Sequence, residues 1–153
     1  MSIEDRLKEL RIELPEPPEP IASYVPLVVV GNLLFTSGNG PWEDGVFKYR
    51  GKLGSDLTVE EGYQAARLTM LNLLSVVKAE LGNLDRVERV VKLLGIVASA
   101  PDFNRQPEVV NGASDLLEAI FRERGQHARS AIGTNELPGN IPIEIEMILQ
   151  VKV

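Results

Sequence analysis

The feature that most constrains this chain is a long amphipathic helix written into residues 58–82. Thr58 and Glu61 form a capping box, Tyr63, Ala66, Met70, Leu73, Leu74, Val77 and Leu81 recur at helical spacing, and Gly82 ends the run. A helix with one apolar face must be covered by another layer, so the neighbouring segments decide the architecture. Glu108 to Arg124 supplies a second helix, with Val109, Leu116, Leu117, Ile120 and Phe121 on one face before Gly125. Between the two, Glu88 to Ser99 is rich in valine and leucine and reads as a buried strand.

The flanks are strand-rich. Val25 to Val30 and Leu33 to Thr36 are apolar runs joined by Gly31-Asn32, a hairpin signal, and Asp44-Gly45 is a second turn leading toward Val46, Phe47 and Tyr49 as a short third strand. Near the end, Ser130 to Glu136, a Pro138-Gly139-Asn140 turn and Ile143 to Val153 are expected to form a hairpin. Its last strand alternates Ile143, Glu144, Ile145, Glu146, Met147. At the front, Ser2 caps a short helix with Asp5 at N3 and Ile3, Leu7 and Leu10 on one face, and Leu14 to Pro20 holds four prolines and reads as an extended connector. The expected organisation is residues 1–20 as helix and connector, then one domain over 21–153. Its class is α/β, a two-layer sandwich with a mixed sheet and both long helices on one face. The other sheet face would then expose Val28, Val30, Leu94 and Ile96, and self-association is the simplest cover.

Composition narrows the chemistry. At 153 residues the chain has one domain's length, and with no cysteine it can form neither disulfides nor thiolate sites, so a reducing cytoplasm is the expected compartment. The acidic start lacks the pattern of a secretory signal, and no apolar run approaches a membrane span. One histidine cannot build a histidine metal cluster, so neither metal nor cofactor is expected. Gly38-Asn39-Gly40 and Gly51-Lys52 match no phosphate-loop fingerprint and read as turn glycines. Net charge is −6, which repels a phosphate backbone. Arg122, Arg124, His127 and Arg129 cluster within eight positions, but Glu123 interrupts them and no aromatic residue interleaves, which argues against nucleic acid. His127 lacks a supporting Ser or Asp at useful spacing and reads as a structural or rim residue.

Three stretches together resemble the RidA/YjgF family. They are Tyr24 to Pro41, with Val28, Gly31-Asn32, Phe35 and Ser37-Gly38; Asp102-Phe103 followed by Asn111 and the helix to Phe121; and Ala128-Arg129-Ser130-Ala131, Leu137-Pro138 and Ile143-Glu144-Ile145-Glu146. The resemblance covers about residues 20 to 153. It implies a chorismate mutase-like fold assembled as a homotrimer through its sheets, with carboxylate-binding pockets between subunits. The front helix, Ser37-Gly38-Asn39 and Gly112-Ala113-Ser114-Asp115 resemble a subgroup labelled endoribonuclease or chorismate mutase-like. Deaminases of the family carry a cysteine where this chain has Ala131.

The resemblance implies a substrate-binding set of Arg129, Tyr24, Ser37, Gly38 and Asn111 for a small carboxylate ligand. It implies a catalytic set of Glu144, Arg129 and Ala131 for a 2-iminobutanoate/2-iminopropanoate deaminase-like hydrolase, with a non-catalytic metabolite-binding trimer as the alternative and a ribonuclease below both. Physically, an arginine fork binds a carboxylate bidentately as lysine cannot, and the bland alternative for Arg129 is a surface ion pair. If the last two strands form a hairpin turning near Asn140, Glu144 faces about Glu136, ~23 Å from Arg129 at ~3.3 Å per residue. A site using both residues would then need two subunits.

Overall fold

The computed structural model describes residues 1–19 and 23–153, so the boundary expected after residue 20 lies outside the described residues. Helix α1 (Ile3–Glu9) opens on the Ser2–Asp5 capping box and buries Ile3 and Leu7. Strands β1 (Leu27–Val30) and β2 (Leu33–Thr36) form a hairpin in which Gly31 takes the positive φ of +62°. Beyond them, β3 (Trp42–Glu43) and β4 (Val46–Phe47) make a second small hairpin. Asp44 and Gly45 turn it with φ of +51° and +84°, so two short strands stand where one running to Tyr49 is expected.

Helix α2 (Val59–Leu81) carries the expected Thr58–Glu61 capping box and stops at Gly82, whose left-handed backbone returns an N–H to the Lys78 carbonyl. Strand β5 (Val87–Ala98), helix α3 (Gln106–Phe121), strand β6 (Ala128–Thr134) and strand β7 (Ile143–Val151) complete the chain. Helix α3 begins before the expected span, with Pro107 in its first turn, and ends before it because Arg122–Gly125 tightens into a 3-10 turn. No helix among the described residues is long and apolar enough to cross a membrane.

One sheet holds five strands in the order β1-β2-β7-β5-β6. Here the structure corrects the sequence expectation: β6 and β7 do not form a hairpin. Strand β5 lies between them, parallel to β6 and antiparallel to β7. The segment β5-α3-β6 is a crossover unit, and such a unit delivers its second strand parallel to the first. The chain around Pro138–Asn140 then carries β7 to the other flank of β5.

Helices α2 and α3 cover one sheet face. The core there includes Leu34, Leu73, Leu93, Val97, Leu117, Ile145 and Leu149, all fully buried. Val28 (49% exposed), Phe35 (39%) and Ile132 (50%), with Leu94 and Ile96, lie on the other face, which is bare in the single chain. The two helices approach closely because Gly112 of α3 packs on the backbone of α2 at Tyr63 and Arg67. On the opposite side of α2, buried Asn72 donates to the carbonyls of Gly40 (3.0 Å) and Trp42 (2.8 Å), which pins the loop after β2.

Candidate functional site

Arg129 is on β6, an edge strand, opposite buried Leu93 of β5, so its side chain leaves the sheet on the helix face. Helix α3 receives it there. Its Nη1 donates to Asn111 Oδ1 at 2.7 Å and to Ser114 Oγ at 3.1 Å, one turn apart on α3. Both bonds leave the same nitrogen, which accounts for both of its protons. Nη2 and Nε make no hydrogen bond among the described residues, and no carboxylate pairs with this guanidinium, so the surface ion pair is not what occupies it. Nε–H and the adjacent Nη2–H point in parallel, a fork that matches the two oxygens of a carboxylate.

The edge position also exposes backbone. The Ser99 N–H donates to the Thr134 carbonyl at 2.8 Å, so the even-numbered residues of β6 turn their backbone groups toward β5. By the alternation of a strand, the N–H and C=O groups of Arg129, Ala131 and Gly133 then point to the free edge. The Ala131 side chain packs on the core beneath, and its carbonyl is two residues from the Arg129 backbone.

Glu144 lies elsewhere. It pairs with Ile96 on the sheet face away from the helices and has Glu146 two residues along on the same face. Level with Glu144 through Ile96 is Ile132 of β6. Two strand spacings of about 4.8 Å and three residues along β6 put the Arg129 and Glu144 Cα atoms about 14 Å apart. That is well under the distance a hairpin would give. What separates them is the sheet itself, because the two side chains leave opposite faces.

The Glu144 carboxyl packs over Gly38. A Cβ on Gly38 would lie 2.9 Å from Glu144 Cδ, so glycine is what admits this carboxylate. The contact arises from a bulge at the end of β2. Phe35 pairs with Ile148 and the ladder resumes at Asn39 with Ile145, three intervening residues on one strand against two on the other. Thr36 Oγ1 accepts the Met147 N–H at 3.0 Å across the gap. Burial raises the Glu144 pKa above the ordinary carboxylate range, and the nearby Glu146 adds to the rise. Ser37, next along the bulge, donates its hydroxyl to the Val25 carbonyl at 2.6 Å. Tyr24, Ser37 and Gly38 line a cleft of about 50 Å³ together with Pro26, Asn39 and Val76.

The residues expected at the site therefore fall into two groups in one chain. Arg129, Asn111 and Ala131 meet at the β6 edge, while Glu144, Gly38, Ser37 and Tyr24 meet around the β2 bulge. Sequence reasoning missed Ser114. Its signal was a hydroxyl three positions after Asn111 on a helix face otherwise filled by Val110, Ala113 and Leu117.

The family described as "YjgF/chorismate mutase-like, putative endoribonuclease" matches residues 4–147. Protein TCP17 of Trypanosoma cruzi is 43% identical over 145 residues, 94% of this chain and 91% of that protein. The crystal structure of Atu1372 from Agrobacterium tumefaciens, a protein of unknown function, is 44% identical and superposes with a TM-score of 0.91 over 98% of this chain and 92% of its own. A Shewanella oneidensis structure carrying the endoribonuclease label is 35% identical, with a TM-score of 0.95 over 99% of this chain and 100% of its own.

Proposed function

The chain belongs to the YjgF/chorismate mutase-like family, and from that membership and the Arg129 fork we propose that it hydrolyses 2-imino and 2-enamino acids at pockets between the subunits of a homotrimer. The observation that carries the proposal is the division of labour within one guanidinium. Nη1 is spent on Asn111 and Ser114, and the Nε/Nη2 edge is left for a ligand carboxylate.

In this reading Arg129 of one subunit holds the substrate carboxylate and Glu144 of a neighbour faces the imine carbon. Glu144 takes a proton from water as the water oxygen bonds to that carbon and the C=N pair moves onto nitrogen, giving a carbinolamine. It then returns the proton to the nitrogen, and as the C–N bond breaks the hydroxyl oxygen forms the C=O while its proton passes back to Glu144 and on to the departing ammonia. The products are a 2-oxo acid and ammonia. A carboxylate with a raised pKa suits this double duty better than an ordinary one. The outward Ala131 carbonyl accepts a hydrogen bond from the water, a role that needs no cysteine. Tyr24, Ser37 and Gly38 line the pocket wall beside Glu144. Because the two halves lie on opposite sheet faces of one chain, assembly is a condition of activity, and the bare apolar sheet face supports assembly.

RNA cleavage has weaker support. The net charge of −6 repels a phosphate backbone, and Arg124 near the β6 edge is spent on the Val87 carbonyl. The test is to generate imino acids with an amino-acid oxidase and follow their decay with wild type, Glu144→Gln and Arg129→Ala. Acceleration by wild type, lost in both variants, is expected. If wild type gives only the uncatalysed rate while still binding 2-oxo acids, the pocket is a metabolite-binding site, a reading that tolerates Ala131 in the cysteine position.

A further inference from the structure

We infer that His127, acting through Ser114, fixes which protons Arg129 offers to a carboxylate, so that both are positioning residues for that site. The inference rests on the reading of Arg129 as the carboxylate-holding residue.

With a neutral imidazole the hydrogen-bond chain has one consistent polarity. His127 Nδ1 lies 2.6 Å from the Gly125 carbonyl oxygen, which can only accept, so Nδ1 carries a proton. In the neutral ring Nε2 is then a lone pair. Its partner at 2.9 Å is Ser114 Oγ, so the hydroxyl proton must point at the ring. With that proton drawn away, the Ser114 lone pairs face Arg129 Nη1 at 3.1 Å and accept from it. Without the imidazole acceptor the hydroxyl loses the partner that fixes its rotor, and its proton can turn to another acceptor such as the Val110 carbonyl four residues back, which shifts the lone pairs away from Nη1. His127 thus holds Ser114 as an acceptor, Ser114 and Asn111 take the two Nη1 protons, and the Nε/Nη2 edge stays outward.

Gly125 makes the arrangement sterically possible. A Cβ there would collide with the Leu117 carbonyl group of α3, so only glycine brings the turn close enough for its carbonyl to meet the ring. His127 is therefore held from one side by the 3-10 turn after α3 and from the other by the α3 face that carries Ser114. The expected reading of His127 as structural or rim is refined: it is half-buried and bonded at both ring nitrogens.

The test has two parts. The chain has one histidine, so ¹⁵N NMR of the imidazole at mildly alkaline pH reports a single unambiguous tautomer. The Nδ1–H form is expected, and the Nε2–H form, the one favoured in free histidine, overturns the inference. The second part is calorimetric titration of 2-oxobutyrate and benzoate into wild type, Ser114→Ala, His127→Phe, His127→Gln and Arg129→Ala. Ser114→Ala and His127→Phe should each weaken binding about three- to tenfold, the worth of one hydrogen bond, and the double variant should be no weaker than the worse single one. His127→Gln, whose amide oxygen restores the acceptor, should return to within about twofold of wild type. If Arg129→Ala abolishes binding while Ser114→Ala and His127→Phe leave it unchanged, the positioning role alone is wrong. If Arg129→Ala binds as wild type does, the carboxylate reading beneath it is wrong.

Discussion

Gly112→Ala is expected to unfold the protein more easily and to weaken ligand binding in the same stroke. Gly112 sits where α3 crosses α2, and an added Cβ would overlap the Tyr63 carbonyl oxygen, with the Tyr63 carbonyl carbon at 2.9 Å and the Arg67 nitrogen at 3.1 Å. All three are backbone atoms inside the α2 hydrogen-bond ladder, so no rotamer change relieves the contact. Glycine to alanine in an open helix would stabilise by about 1 kcal/mol. Overpacking of a rigid core costs about 1–3 kcal/mol, and a clash with helix backbone belongs at or above the top of that range. The net expectation is a loss of about 2 kcal/mol or more. Asn111 and Ser114 flank the substituted position, so separating the helices also displaces the two acceptors of Arg129 Nη1. Urea unfolding followed by circular dichroism at matched protomer concentration measures the first effect, since association shifts apparent stability. Titration with 2-oxobutyrate measures the second. A variant as stable as wild type would refute the packing reasoning, and one that is destabilised yet binds normally would refute the link to the site.

Other expectations follow from the same geometry. Glu144 has a raised pKa, so the folded chain holds its proton more tightly than the unfolded one, and the destabilisation this causes is absent below the ordinary carboxylate range and grows as pH rises through the raised value. Glu144→Gln should therefore melt with wild type near pH 4 and above it near neutrality, even as the proposal expects it to lose activity; a melting difference independent of pH would contradict this. Light scattering should give a trimer of chains of 16.8 kDa. Placing aspartate at Ile132, which is 50% exposed on the bare sheet face, should shift the protein to monomers, whereas an unchanged mass would mean that another surface assembles it.

Much of the fold was legible because its signals are local. The Ser2–Asp5 and Thr58–Glu61 boxes, the glycine stop at Gly82 and the alternation along β7 each depend on residues within a few positions of one another. The pairing of β6 was not, because Pro138-Gly139-Asn140 reads as a hairpin turn whether the strands beside it are neighbours or are split by a third. Strand β5 followed by α3 and then β6 was the available clue, since a helical crossover calls for parallel neighbours. The need for two subunits stands in the proposal on a different basis, opposite sheet faces in place of length along a hairpin. Arg129, Asn111 and Glu144 could be named from the family resemblance. The Ser114–His127 link could not, because it joins residues 13 apart across a turn whose close approach depends on a glycine.

The most direct test is a crystal structure of the assembled protein with 2-oxobutyrate bound. The expected structure has a carboxylate held side-on by Nε and Nη2 of Arg129, with Asn111 and Ser114 still on Nη1 and Glu144 of an adjacent subunit facing the 2-oxo carbon. An oxo acid bound away from Arg129, or bound there with no neighbouring Glu144 within reach of its 2-oxo carbon, would contradict it.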